Sequence, residues 1–308
     1  MRIRLIVNPR AGSGAANQKQ PEVERALRAG GHDVSVARTA RPRDAARLVC
    51  AARDESVDCV VVLGGDGTLN EACQAYVGPQ GDPLQGPELG LVTAGTGGDF
   101  RKTFELGSSL FDAVQRIMEA PARPLDLGFA ELVGPDGAAV SRAFVNIASF
   151  GLGGLTDRIV SQSPKWLGGK ATFFLGALRA IAVYSNQPVI VRVDGSPCLE
   201  APVLNVAVAN GRYFGGGMKI APDADPRDGL FDVVALYDLT RAQGIGLAYR
   251  IYQGTHPGSP GVRVARGAEV EALPARASSA VLVDMDGETP GQLPMRVRCL
   301  PGALRFRI

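Results

Sequence analysis

The sequence predicts two domains, an α/β domain with a mostly parallel sheet over residues 1–125 and an antiparallel β domain over residues 126–308. Three observations carry this expectation. The chain has 308 residues, about twice the roughly 150 that one domain uses. Its first part alternates short apolar runs with helical patterns, as βαβ units do. Beyond Pro124 the helical patterns thin out, and short β-branched runs recur between turn residues.

In the first domain the strand candidates are Arg2–Val7, Asp33–Arg38, 58–63 and 89–93. The run Cys59-Val60-Val61-Val62-Leu63 is apolar at every position, as a strand covered by helices on both faces must be. Residues 22–28 and 44–53 place Val23, Ala26 and Leu27, then Ala45, Leu48 and Val49, at helical spacing with charges opposite. In the second domain VGPDG at Val133 reads as a hairpin turn. Strand candidates follow at 189–193, 203–209, 231–236, 262–264, 281–283 and 295–298. One helix interrupts them at 171–184, with Phe174, Leu178, Ile181 and Ala182 along one side.

Composition excludes several functions. Charged residues at 21% and apolar ones at 45% are ordinary for a globular chain. A net charge of +2 supplies no overall field for a nucleic-acid partner. No run approaches the ~18 apolar residues of a membrane span, and Leu5-Ile6-Val7 is too short for a signal-peptide core. A cytoplasmic chain without a transmembrane segment is expected. Cys50, Cys59, Cys73, Cys198 and Cys299 form no CxxC pair, and His32 and His256 are the only histidines. Disulfide frameworks, zinc knuckles, HExxH sites and a Ser-His-Asp triad are all disfavoured.

Three strand ends stand out instead. The first strand runs into NPRAGSG at Asn8, the third into GGDGTLNE at Gly64, and the fourth into GTGGDF at Gly95. Glycines let backbone amides approach a phosphate, and a following helix aims further N–H groups and a partial positive charge at it. Thr68 and Glu71 also fit a capping box that needs no ligand. Three such loops in succession favour a polyphosphate cradle, and Asp66 and Asp99 among the glycines favour a metal–nucleotide complex over a bare anion. Neither a P-loop nor a GxGxxG fingerprint is present.

At GGDGTLNE the sequence resembles the diacylglycerol kinase catalytic-domain superfamily, which includes bacterial soluble lipid kinases, sphingosine kinases and ceramide kinases. NPRAGSG, GTGGDFRKTF, the segment VANGRYFGGGMKIAPDADPRDGLFDVV at Val206 and the late Asp286-Gly287-Glu288 are similar to the family's other signatures, in its order. The resemblance implies a doubly wound, mostly parallel α/β nucleotide-binding domain like those of NAD kinases and phosphofructokinases, then a β-sandwich domain, with ATP in the cleft. By that resemblance Asn8, Arg10, Thr39, Gly64, Gly65, Asp66, Gly67, Thr68, Leu69, Asn70 and Thr96 match nucleotide-binding positions. Glu288 matches the proton acceptor, while Asp225, Asp228 and the Leu230 carbonyl match a structural Mg2+ loop. Gly98 departs from the family, where many relatives carry Asn.

Phosphorylating a lipid hydroxyl requires in-line positioning, neutralised phosphate charge and a base at the attacking oxygen. Glu288 is the base candidate, Asp66 the carboxylate at the Mg2+–phosphate, and Asp126 a further candidate at the domain junction. As plain structure, Glu288 is a solvated turn residue, Asp126 a strand-edge residue, and Asp225 and Asp228 part of a polar turn. Residues 164–184 mix Lys165, Trp166, Lys170 and Arg179 with aromatics, which suits a peripheral contact at the inner membrane surface, or simply a cap on the β core. The expected activity is an ATP- and Mg2+-dependent lipid kinase, with diacylglycerol the first acceptor and sphingoid bases or ceramide as alternatives. An NAD kinase-type enzyme and a non-catalytic nucleotide or lipid sensor are the competing readings, and a homodimer is left open.

Overall fold

The computed structural model describes residues 1–94, 98–161, 184–276 and 279–308, with only the backbone for 157–161. The helix expected at 171–184 lies outside these residues, Tyr184 excepted, and so do most of 164–184 and Thr96.

The chain forms two compact units, one of Met1–Leu127 with Leu300–Ile308 and one of Gly128–Cys299. The first contains β1 (Arg2–Val7), α1 (Ala15–Ala29), β2 (Asp33–Arg38), α2 (Asp44–Asp54), β3 (Cys59–Gly64), α3 (Asp66–Cys73), β4 (Glu88–Thr93), α4 (Asp99–Thr103) and α5 (Leu110–Glu119). Its strands pair in parallel in the order β2-β1-β3-β4. Ile3, Leu5, Val7, Val61 and Leu63 pack against Val23 and Leu27 of α1 and Val114 and Ile117 of α5. The alternate residues Ile6, Val60 and Val62 point the other way and are also fully buried. On that side α2 and α3 pack on each other and against β1 and β3.

Two long strands, β5 (Ala122–Val133) and β14 (Glu288–Arg307), belong to both units. A single boundary at 125 therefore needs correction, because the end of β14 returns to complete the first unit. Phe306 pairs in parallel with Leu89 of β4, and its ring lies 5.0 Å from that of Phe100. Arg307 donates to Glu88 at 2.7 Å and to the carbonyls of Ile117 and Ala120 at 3.0 Å. Asp126, expected at a junction, is buried in β5 and accepts the Gly302 N–H at 2.7 Å.

The second unit adds β6 (Ala139–Phe144), β7 (Ile147–Gly151), α6 (Leu152–Ser161), β8 (Gln187–Val193), β9 (Ser196–Ala209), β10 (Phe231–Tyr237), α7 (Arg241–Gln253), β11 (Val262–Gly267), β12 (Glu269–Pro274) and β13 (Leu282–Met285). Its pairings are antiparallel, and β9-β7-β13-β14-β12-β8 close a circuit back to β9. The long, irregular strands β9 and β14 serve both layers of this sandwich. Between the layers lie Phe144, Phe150, Phe231, Val206, Val233, Val283 and Met295. Gly128 faces Phe144 across β5 and β6, and a Cβ there would stand 2.1 Å from the ring, so the missing side chain makes room for the aromatic. The helices α6 and α7 were not expected from the sequence.

If the first unit needs its returning strand, Phe306→Ala destabilises it. Removing a fully buried, ring-packed phenylalanine costs about 3–5 kcal/mol. Denaturant unfolding followed at the first unit checks this, and an unchanged midpoint would restore the simple boundary.

Candidate functional site

The first unit's strands end in a row. Just past them Thr39 N–H donates to Val7 C=O at 2.9 Å, Asn8 N–H to Leu63 C=O at 3.1 Å, and Ala94 N–H to Gly64 C=O at 2.8 Å. Thr39, Asn8, Gly64 and Ala94 thus stand side by side on the carboxyl edge of the sheet. Strand order reverses there, between β1 and β3, which is where α/β sheets open a ligand crevice. Side chains tie the loops together: Asn8 Nδ2 donates to Thr68 Oγ1 at 2.9 Å, and Asn8 Oδ1 accepts the Arg10 N–H at 3.1 Å. Arg10 itself is exposed. The loop beyond it holds Gly12, Ser13 and Gly14 at φ of 60°, 55° and 95°, a left-handed run that turns successive amides.

The glycines after β3 have different reasons to be glycine. A Cβ on Gly64 would lie 2.8 Å from Thr68 Cβ and Oγ1, so the fold itself excludes a side chain. Gly65 has ordinary extended backbone at φ −113°, Gly67 lies within α3, and a Cβ on either meets nothing within 4 Å. Neither conformation nor packing requires glycine at 65 or 67. A group held against the backbone from outside would, at a helix N-terminus whose first amides lack intrahelical acceptors. These residues fit a phosphate. Thr68, Leu69 and Asn70 are buried, and the Leu69 N–H donates to the Gly65 carbonyl at 3.1 Å.

The two aspartates among the glycines have work inside the protein. Asp66 Oδ2 accepts the N–H groups of Gly98 and Asp99 at 3.1 and 2.8 Å, fastening the loop after β3 to the one after β4. Asp99 Oδ1 pairs with Lys102 Nζ at 2.6 Å. Gly98 sits at φ 82°, the left-handed region that glycine adopts most readily, and a Cβ there would stand 2.6 Å from Arg101 Nε.

In the second unit Asp286 and Gly287 have φ of 49° and 87° and form the two-residue turn between β13 and β14, with Met285 paired to Glu288. Asp286 accepts the N–H groups of Val145, Asn146 and Ile147 at 2.8, 3.1 and 2.9 Å, which pins this turn. Glu288, the next residue, is exposed, and its Oε2 lies 2.5 Å from Nη1 of the largely buried Arg142. Around the turn lie buried polar residues that sequence reasoning missed: Asn146, Ser149, Asn210 and Asp284. Asn146 Nδ2 donates to Tyr213 C=O at 2.5 Å, Asn210 Nδ2 to Val145 C=O at 2.8 Å, and Gly287 N–H to Asp284 Oδ1 at 3.0 Å. The available signal was a single asparagine interrupting an apolar run, in FVNIAS and in VAVANG.

The Asp225–Leu230 loop is arranged around arginines. Arg227 holds Asp225 at 2.8 and 3.0 Å, which keeps the Asp225 carboxyl below the usual carboxylate range. Arg266 pairs with Asp228 and stands 3.5 Å from the buried Asp232, whose carboxyl is pushed up by burial. Asp228 Oδ1 accepts the Leu230 N–H at 3.0 Å. Among the described residues no three carboxylate, histidine or cysteine side chains gather to hold a metal. A cation here would have to displace both guanidinium groups, so as arranged the loop does not fit one.

Residues 2–130 match the family model of the diacylglycerol kinase catalytic domain, and residues 146–307 that of the YegS C-terminal NAD kinase beta sandwich-like domain. A Xanthomonas euvesicatoria protein named "Probable lipid kinase YegS-like" is 32% identical over 308 residues, covering 99% of this chain and 95% of its own. The Mycobacterium tuberculosis protein named "Diacylglycerol kinase" is 26% identical over 305 residues, covering 99% and 94%. Among solved structures, a diacylglycerol kinase of Bacillus anthracis superposes with a TM-score of 0.73 at 20% identity, covering 99% and 96%. Yeast NADH kinase does so with a TM-score of 0.52 at 12% identity, covering 99% and 82%. At those identities the two structures speak for the fold alone.

The arginine-filled loop generates an expectation about metal. A cation bound only by the native state raises its stability by mass action, so any Mg2+-dependent rise in melting temperature should be the same in the natural chain and in Asp225→Ala/Asp228→Ala. Thermal unfolding in EDTA and in excess Mg2+ checks it. A rise lost in the double variant would mean that Mg2+ displaces the arginines.

Proposed function

The chain belongs to the diacylglycerol kinase family and is an ATP-dependent lipid kinase, and from that premise we propose that its acceptor is diacylglycerol. The hydroxyl oxygen would attack the γ-phosphorus, the bond to the β–γ bridging oxygen would break, and phosphatidic acid and ADP would leave. The name of the Mycobacterium tuberculosis relative supports this acceptor over sphingoid bases and ceramide.

The observation that carries the reading is the open ground above Gly65 and Gly67. We assign the triphosphate to the amides there and at the left-handed Gly12–Gly14 loop, with Arg10, Thr39 and Asn8 lining the same sheet edge. Bound Mg2+ supplies charge neutralisation on the phosphates, and Asp66 is the residue assigned to face it. The two hydrogen bonds that Asp66 accepts from the Gly98 and Asp99 N–H groups keep that carboxylate in one place. Thr96 is assigned to the same cradle by resemblance alone.

Glu288 is assigned as the base that takes the hydroxyl proton. The pinned Asp286-Gly287 turn sets the start of its strand, and the Arg142 guanidinium fixes the carboxylate. Such a base must hold its geometry before substrate arrives, and a two-residue turn tied by three amides provides that.

Two variants test the assignments. Gly67→Ala adds a Cβ that meets no protein atom, so stability holds or rises by up to about 1 kcal/mol, as for any helical glycine replaced by alanine. ATP affinity nevertheless falls, as isothermal titration would read; unchanged affinity would remove the phosphate from this helix end. Glu288→Gln should lower kcat by roughly 10²–10⁴ with ATP binding intact, the loss typical of a missing general base. A weakened ATP affinity at preserved kcat would instead place Glu288 outside proton transfer.

A further inference from the structure

The helix α7 is apolar on two sides. Gly244, Leu247 and Ile251 are buried, the latter two against Ile147, Leu204 and Ile220. A second stripe, Ile245, Tyr249 and Tyr252, is 54%, 72% and 44% exposed. Its i, i+4, i+7 spacing puts these three on one face. Half of the six large apolar side chains left exposed among the described residues are therefore gathered on this helix. That concentration marks a surface with a partner.

Charge identifies the partner. From Leu239 to Ala268 the chain has no acidic residue and four arginines, Arg241, Arg250, Arg263 and Arg266. Arg241 and Arg250 lie on α7 and are exposed, Arg250 also donating to Ser259 Oγ at 3.0 Å. Lys219 adds a cation at the C-terminal end, where its N–H donates to the Ile251 carbonyl at 3.1 Å and its side chain lies against Gly254. Arg266 is occupied by Asp228 and Asp232. The surface is apolar, tyrosine-bearing and rimmed by positive charge. Tyrosine rings favour the level of lipid headgroups, with the apolar edge inward and the hydroxyl in water.

We infer that α7 docks this chain on an anionic bilayer, lying in the plane of the interface. Ile245, Tyr249 and Tyr252 enter the boundary between headgroups and acyl chains, and Arg241 and Arg250 meet lipid phosphates. The inference rests on the reading that the acceptor is a bilayer lipid. Thirteen residues of helix reach about 20 Å, short of the ~30 Å hydrocarbon core, so α7 lies on the membrane and does not cross it. A second copy of the chain fits this face less well. A two-fold contact through α7 would gather Arg241 and Arg250 of both copies into one interface, with no carboxylate in residues 239–268 to offset them.

The test is co-sedimentation of the full chain, without nucleotide, with vesicles of phosphatidylcholine alone or mixed with phosphatidylglycerol. The natural chain should sediment with the anionic vesicles and less with the neutral ones. Ile245→Asp/Tyr249→Asp should abolish binding to both. Arg241→Glu/Arg250→Glu should weaken binding to anionic vesicles by roughly twenty-five-fold or more, the product of about fivefold per lost arginine, and hardly change the neutral ones. Circular dichroism and an unchanged melting temperature show that the variants fold. Turnover with a short-chain diacylglycerol in detergent micelles should survive both changes, while turnover on vesicles falls. Vesicle binding unaffected by the variants, or a natural chain that ignores anionic vesicles, overturns the inference. So does a dimer in sedimentation velocity that Ile245→Asp/Tyr249→Asp splits. Absence of turnover on every lipid, with vesicle binding still lost in the variants, would overturn the lipid-acceptor reading while supporting the docking face.

Discussion

The missing side chain at Gly64 sets the geometry of the whole carboxyl edge of the first sheet. Thr68 occupies the space that a Cβ would take, and from there its hydroxyl receives the Asn8 amide. Asn8 in turn receives the Arg10 N–H and so shapes the loop after β1. Two residues further along the same segment, Asp66 draws in the amides of Gly98 and Asp99 and shapes the loop after β4. One short stretch, Gly64 to Thr68, therefore organises three loops from three strands. Bonds that involve a carboxylate are about twice as strong as neutral ones, so Asp66 is the firmer of the two ties.

These bonds also resolve an electrostatic difficulty. Acidic residues beside a polyphosphate repel it unless something neutralises them. The metal assigned to Asp66 is one part of the solution, and internal contacts supply another: Asp66 accepts two amides and Asp99 pairs with Lys102. With that charge compensated internally, the amides of α3 can offer an anion a net favourable field. The second unit repeats the arrangement. Asp286 is consumed by three amides and Asp284 by the Gly287 amide, and Glu288 is the acidic side chain that the turn leaves exposed. In each glycine-bearing motif one acid builds the loop, so an acidic residue in such a motif is not by that fact catalytic.

How much of this could be read from the sequence depends on whether the cause was local. The strand β3 was legible because burial on both faces makes it continuously apolar, β1 and β4 because their inner parts are largely apolar, and the edge strand β2 because Val34 and Val36 alternate with polar residues. The start of α1 was not, since Pro21 looks like a beginning and in fact lies inside a helix running from Ala15. The last strand looks like any other, with Leu304 and Phe306 buried between arginines, and nothing local says that its sheet lies at the other end of the chain. The helix α7 was hidden by Gly244 and Gly246, which lower helix propensity, and by apolar residues on two faces, which erase the amphipathic pattern. In the candidate site, the glycine-bearing loops at the strand ends were legible from their spacing. Which glycines the fold itself requires was not, because that depends on Thr68. The pairing of Arg142 with Glu288 spans 146 residues and has no local trace.

The strand β14 carries a consequence for how the two units depend on each other. It begins with Glu288 in the sandwich and ends with Phe306 and Arg307 in the first unit, so a single strand contains the assigned base and a core residue of the other unit. The pairing of Phe306 with Leu89 joins residues far apart in sequence, and contacts of such long separation form at a high loop-closure cost. Phe306, Phe100 and the Arg307–Glu88 pair must then hold the end of β14 against that cost. Unfolding the first unit frees one end of the strand whose other end pairs with β13 and β12. Stability changes in the two units are therefore not expected to add independently, since they act on a shared element. Cleavage after residue 125 would sever β5 and leave the first unit without its own final strand.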